Sequence, residues 1–244
     1  MNPTTRATIT AVAASVIAVS GFLGTRYLVV GALALMAGFA IGWPRLTRVP
    51  RYWVSSAIIG AGSIAALVAV VLGKNEPYLR YVVVAVAAIV VASLLAEVFL
   101  PNPRGHAVTA VASTSSGGTI AAAGAAWVAG NLTVGAEDLV VCGAAAVAMA
   151  AAVSVLTRRP GVNTFAALTM GCVSGAVTGF LFTSITWYAG ILVGLGAGVA
   201  VVLMVEMTRR EPRPRSVWAG IASAITPVLV AGVLVYLGGR LLVG

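Results

Sequence analysis

Apolar residues fall in nine long runs separated by short polar connections, at roughly 7–24, 27–43, 54–73, 81–100, 107–129, 139–156, 165–183, 187–206 and 217–238. Each approaches the ~20 residues that a helix needs to cross the hydrocarbon of a bilayer. No stretch alternates with period two, and only helices and closed barrels satisfy their backbone groups in lipid. The pattern predicts an all-α, polytopic integral membrane bundle of about nine transmembrane helices, forming a single membrane domain over 1–244. The first run follows Arg6 and resembles a signal peptide, but only Thr25-Arg26 separates it from the second run. An uncleaved first span is therefore expected.

The polar connections set an orientation. Arg6, Arg45, Arg48, Arg51, Arg104, Arg158, Arg159, Arg209, Arg210, Arg213 and Arg215 lie in one alternate set, whereas the other holds only Arg26, Lys74, Arg80 and Arg240 together with Glu76, Glu137 and Asp138. By the positive-inside rule the N-terminus is cytoplasmic and the C-terminus outside. The cytoplasmic turns also share prolines, Pro44, Pro101, Pro160 and Pro212, spaced by roughly 50–60 residues, the range of internal structural repeats. Trp127-Val128-Ala129-Gly130 is echoed by Trp187-Tyr188-Ala189-Gly190. Two explanations remain open at this level: four parallel hairpin repeats (5–51, 52–104, 105–160, 161–215) with a closing helix over 216–244, or membrane hairpins that simply end alike. Parallel hairpins would disfavour the inverted repeats of many ion-coupled transporters.

Composition agrees with a membrane location. Hydrophobic residues make up 60% of the chain and charged residues 9%, with a mean hydropathy of +1.05. A soluble domain carries roughly 25% charged residues. The net charge of +9 would suggest nucleic acid in a soluble protein, but here the arginines sit between apolar runs and no nucleic-acid partner is expected. Abundant Ala, Gly, Val and Arg beside a single Lys point to the inner membrane of a high-GC bacterium. Cys142 and Cys172 both fall inside apolar runs, which excludes a disulfide framework.

Two glycine ladders stand back to back: Gly171, Gly175 and Gly179, then Gly190, Gly194 and Gly198, separated by the turn 183–187. Residues four apart share a helix face, so each ladder forms a groove into which a neighbouring backbone sinks, a main source of helix association in lipid. The pair predicts a tightly packed helical hairpin.

Candidate chemistry is sparse. The most polar intramembrane stretch, Ser113-Thr114-Ser115-Ser116-Gly117-Gly118-Thr119, has the composition of a helix that unwinds to coordinate a small solute. Ser113, Ser115, Ser116, Gly117, Gly118 and Thr119 are the first-choice binding residues. The alternative is an intact helix whose hydroxyls bond their own carbonyls and whose Gly117 admits a neighbour. Glu97 and His106, with Glu206 further along, are candidates for a proton relay; Glu97 has the alternative of pairing with Arg104, and Glu206 of pairing with Arg209 or Arg210. Glu206 also stands where it would mark the cytoplasmic mouth of whatever the second ladder lines. Arg209, Arg210, Arg213 and Arg215 form a basic run suited to anionic lipid headgroups.

No nucleotide-binding loop, zinc-binding pair of histidines or nucleophile elbow is present in the sequence, and no metal or other cofactor is expected. Short loops and the absence of catalytic motifs favour a small transporter or permease for a small solute or lipid over an enzyme, with the fifth, seventh and eighth spans lining the path. The alternative is a non-transporting accessory or scaffold subunit of an envelope complex, its ladders docking a membrane-protein partner or a second copy of the chain.

Overall fold

A computed structural model describes all residues except 74–76, 101, 104, 134, 136, 158, 183–185, 211–213, 215, 243 and 244, and the side chain of Arg210. The described residues form ten α-helices: α1 (Pro3–Leu23), α2 (Thr25–Leu46), α3 (Tyr52–Val71), α4 (Val82–Phe99), α5 (Ala107–Ala123), α6 (Ala125–Leu132), α7 (Glu137–Val153), α8 (Pro160–Leu181), α9 (Trp187–Arg210) and α10 (Val217–Leu242). A 3-10 turn, Tyr78–Tyr81, leads into α4, and no strand occurs among the described residues.

Local chemistry starts and stops these helices. Pro3 and Pro160 occupy the first turns of α1 and α8, where the missing amide hydrogen costs nothing. Glu137 and Asp138 sit in the first turn of α7, against the positive end of its dipole. Gly24 joins α1 to α2 at φ 115°, a conformation that a side chain resists.

Among the described residues, seven helices are long and apolar enough to cross a membrane: α1, α2, α3, α4 with its preceding 3-10 turn, α8, α9 and α10. The other two predicted spans differ in form. The fifth divides at Gly124, where tight bonds from Gly124 N to the Ala121 carbonyl and from Trp127 N to the Gly124 carbonyl interrupt the regular ladder between α5 and α6. A Cβ at this position would lie 2.6 Å from Leu229 Cδ2, so close packing keeps it a glycine. The sixth, α7, is a helix of 17 residues.

α10 is the hub. Of its most apolar stretch 72% is buried, against 22% for α4 and for α8, so α10 runs through the middle while those two lie at the periphery. It packs on α2, α9, α1, α6, α7 and α5. Around it stand two groups, α2–α5 on one side and α1 with α7–α9 on the other. Alanine dominates the core between them, for example Ala14, Ala66, Ala121, Ala144 and Ala231, each 0% exposed. Small residues let helix backbones approach closely, and van der Waals contact then replaces the hydrophobic drive that lipid does not supply. Large apolar side chains point outward instead, including Val83, Leu94, Val98 and Phe99 of α4 and Phe165 and Phe180 of α8. Continuous exposed apolar faces of this kind belong against a membrane.

Candidate functional site

The hydroxyl-rich segment lies within α5, which stays helical from Ala107 to Ala123. The unwinding anticipated from its composition is absent, because its polar groups find partners on the helix and on its neighbours. Thr114 and Thr119 bond the carbonyls one turn back, of Ala110 and Ser115, at 2.8 and 2.9 Å. Ser116 donates to Ser113 O at 3.1 Å. Across helices, Ser113 pairs with Thr47, just past α2, at 2.5 Å, the Thr114 and Ser55 hydroxyls of α5 and α3 meet at 2.8 Å, and Ser115 pairs with Ser93 of α4 at 3.0 Å. The Trp43 indole donates to the Ser113 carbonyl at 2.9 Å. Added side chains at Gly117 and Gly118 would strike Trp43 and Ile89. The adjoining cavity holds only about 10 Å³, room for one water. These residues form a polar seam that ties α2, α3 and α4 to α5.

Glu97, near the end of α4, accepts hydrogen bonds from the Asn102 amide at 2.7 Å and from Asn102 Nδ2 at 2.8 Å. Asn102 in turn accepts from Arg51 N at 3.1 Å, so the carboxylate organises the turn between α4 and α5 and its approach to α3. His106 is exposed at the start of α5, and no Glu97–His106 contact occurs among the described residues. Arg104, the alternative partner of Glu97, lies outside the described residues.

The glycine ladders face one another along α8 and α9, the most extensive helix pairing in the molecule. A Cβ on Gly171 would lie 2.6 Å from Gly194 O, and one on Gly175 would collide with Gly190 O. The reciprocal collisions, Gly190 with Gly175 O and Gly194 with Gly171 O, show backbones in direct contact. Gly179 and Gly198 extend the contact towards Gly190 and Ala167. Residues 183–185 of the intervening turn lie outside the described residues.

A large cavity sits elsewhere. About 410 Å³ of space lies between the first turns of α1 and α8, the last turns of α7 and α9, and the N-terminal half of α10. Chain direction puts all five segments at one end of the bundle, the arginine-rich end. The rim carries Arg6, Glu206 and Arg209, and the Arg209 Nη1–Glu206 Oε2 pair spans 3.3 Å with both side chains partly exposed. The floor is buried and includes Thr10, Ser154 and Ser223 among alanine and valine side chains. Pro227 also lines it and brings no amide hydrogen to the Ser223 carbonyl one turn back. Nearby, the Thr10 hydroxyl reaches across to Ala224 O at 2.6 Å, pinning α1 to α10 beside that interruption.

Of the sequence candidates, Glu206 and Arg209 line this cavity, whereas the α5 hydroxyls and Glu97 belong to the α2–α5 group. Arg213 and Arg215 lie outside the described residues, as does the Arg210 side chain. Thr10, Ser154, Thr164 and Ser223 escape sequence reasoning because they come from four separate segments of the chain, none of which stands out as polar. Pro227, a proline within a predicted span, is the signal that marks the site in retrospect. No family model matches the chain, and neither a curated protein nor a solved structure matches it.

Proposed function

We propose that the chain is a small multi-pass transporter for a small solute or lipid, and that the cavity among α1 and α7–α10 is its cytoplasmic-side binding site. In this account the bundle crosses the cell membrane nine times, with α5 and α6 together forming the fifth crossing and α7 the sixth, from a cytoplasmic N-terminus to a C-terminus outside. The observation that carries it is a charged, hydroxyl-bearing cavity of about 410 Å³ in a bundle otherwise filled by alanine. Ligand sites typically occupy about 300–1,000 Å³ and combine apolar walls with a few polar groups. The seventh and eighth spans, α8 and α9, contribute to it; α5 does not. An accessory-subunit role receives less support, because the ladders expected to dock a partner helix are filled by each other.

Thr164 lines the cavity and is half-buried, so Thr164→Trp should fill it with little change to the helix contacts. Native mass spectrometry of the chain released into lipid nanodiscs should then show a bound small molecule or lipid on the parent protein that is lost from Thr164→Trp. Identical adduct spectra for the two would overturn the assignment of the site.

A further inference from the structure

We infer that the ligand of this cavity is an amphipathic anion: one phosphate or carboxylate group held at the rim, with an apolar body extending to the floor. The inference rests on the cavity being a ligand site, as proposed above, and adds the chemistry of the occupant.

The rim supplies the sign. Arg6, Arg209 and Glu206 line it together, a formal excess of one positive charge among the described side chains. Arg209 uses one Nη1 contact on Glu206, and a guanidinium has five N–H donors, enough to serve a second acceptor. The first turns of α1 and α8 add to the same field. Neither contains an acidic residue, neither is capped by a side chain, and both reach the cavity through Pro3, Thr4, Pro160 and Thr164. Helix N-termini favour negative charge. Asn163, another polar group lining the cavity, is engaged: its Oδ1 accepts from Thr157 N and Oγ1 at 2.9 and 2.8 Å, and its Nδ2 donates to Thr157 O at 2.8 Å.

The floor supplies the apolar half. Its hydroxyl hydrogens are already committed, Thr10 to Ala224 O, Ser154 to Ala151 O at 2.8 Å and Ser223 to Gly220 O at 2.9 Å. What faces the cavity there is oxygen lone pairs and the methyl groups of residues such as Ala7, Ala167 and Val201. An anion gains nothing from lone pairs, so its charged group stays at the rim while alkyl carbon occupies the depth. Either a lipid headgroup with the start of its chains or a soluble alkyl phosphate has this form.

The test is calorimetric titration of the full chain in phosphatidylcholine nanodiscs with hexyl phosphate, inorganic phosphate and hexyltrimethylammonium. Hexyl phosphate should bind at least about tenfold more tightly than either of the others. Arg6→Gln and Arg209→Gln should each weaken it by about tenfold, the scale of one charge-assisted contact, and Thr164→Trp should abolish it. Unfolding midpoints serve as the folding control. Adding phosphatidic acid to the nanodiscs separates the two sources: competition with hexyl phosphate identifies a lipid headgroup, and no competition a soluble amphiphile, both within the inference. Equal or tighter binding of hexyltrimethylammonium would overturn the anion and leave the site standing. Inorganic phosphate binding as tightly as hexyl phosphate would overturn the amphipathic requirement. If no probe binds and Thr164→Trp behaves as the parent, the site itself falls.

Discussion

Gly175 and Gly190 illustrate how much of this molecule is decided by single missing side chains. A Cβ at Gly175 would overlap the Gly190 carbonyl, and neither backbone can yield without separating α8 from α9. Gly161, in the first turn of α8, has nothing within 4 Å of its notional Cβ. Gly175→Ala should therefore destabilise the fold by about 1–3 kcal/mol, the usual cost of overpacking. Gly161→Ala should be neutral or stabilising by about 0.5–1 kcal/mol, because alanine suits a helix better than glycine. Thermal unfolding in detergent separates them, and equal midpoints for the two variants would contradict the backbone contact. Spacing in the sequence made the ladders visible, but not what fills them: the four-residue period defines a groove, and only the fold supplies the opposing backbone.

At the level of helices, apolar run length locates most elements because lipid forces each backbone to satisfy itself within its own segment. The division at Gly124 was not legible, since Ala, Gly and Trp on either side read as one continuous run; Leu229 and Met36, which leave no room for a side chain there, come from distant segments. The Trp-x-Ala-Gly echo was legible as a match, yet its two copies have unlike surroundings. Trp127 is 1% exposed and its indole donates to Val228 O of α10 at 2.8 Å, whereas Trp187 is 62% exposed at the start of α9. Trp127→Phe removes that bond while α10 keeps its own ladder, so the expected loss is about 1 kcal/mol. Ser115→Ala removes only the seam contact to Ser93 and should cost about 0.6 kcal/mol, the mean for hydrogen bonds between membrane helices. Chemical denaturation in mixed micelles would rank them, and a larger loss for Ser115→Ala would mean that the seam within the α2–α5 group contributes more than the α6–α10 contact.

For the whole molecule, charge and cavity converge on one end. The arginine-rich connections were read from sequence as orientation signals, and the cavity opens between the helix ends that carry Arg6 and Arg209. Its location could not be read from the sequence because its polar residues are spread over five segments far apart in the chain, and no one run is polar enough to stand out. Thr164 lies at this end, and Thr186, exposed just before α9, lies at the other. The most direct test of the account is labelling of Thr164→Cys and Thr186→Cys with a membrane-impermeant maleimide, in inverted and right-side-out vesicles. The unsubstituted chain, with Cys142 buried and Cys172 half-buried, provides the background. The account predicts that Thr164→Cys is labelled in inverted vesicles and Thr186→Cys in right-side-out ones. Labelling of Thr164→Cys from the outside alone, or from neither side, would contradict a cytoplasm-facing cavity and the function built on it.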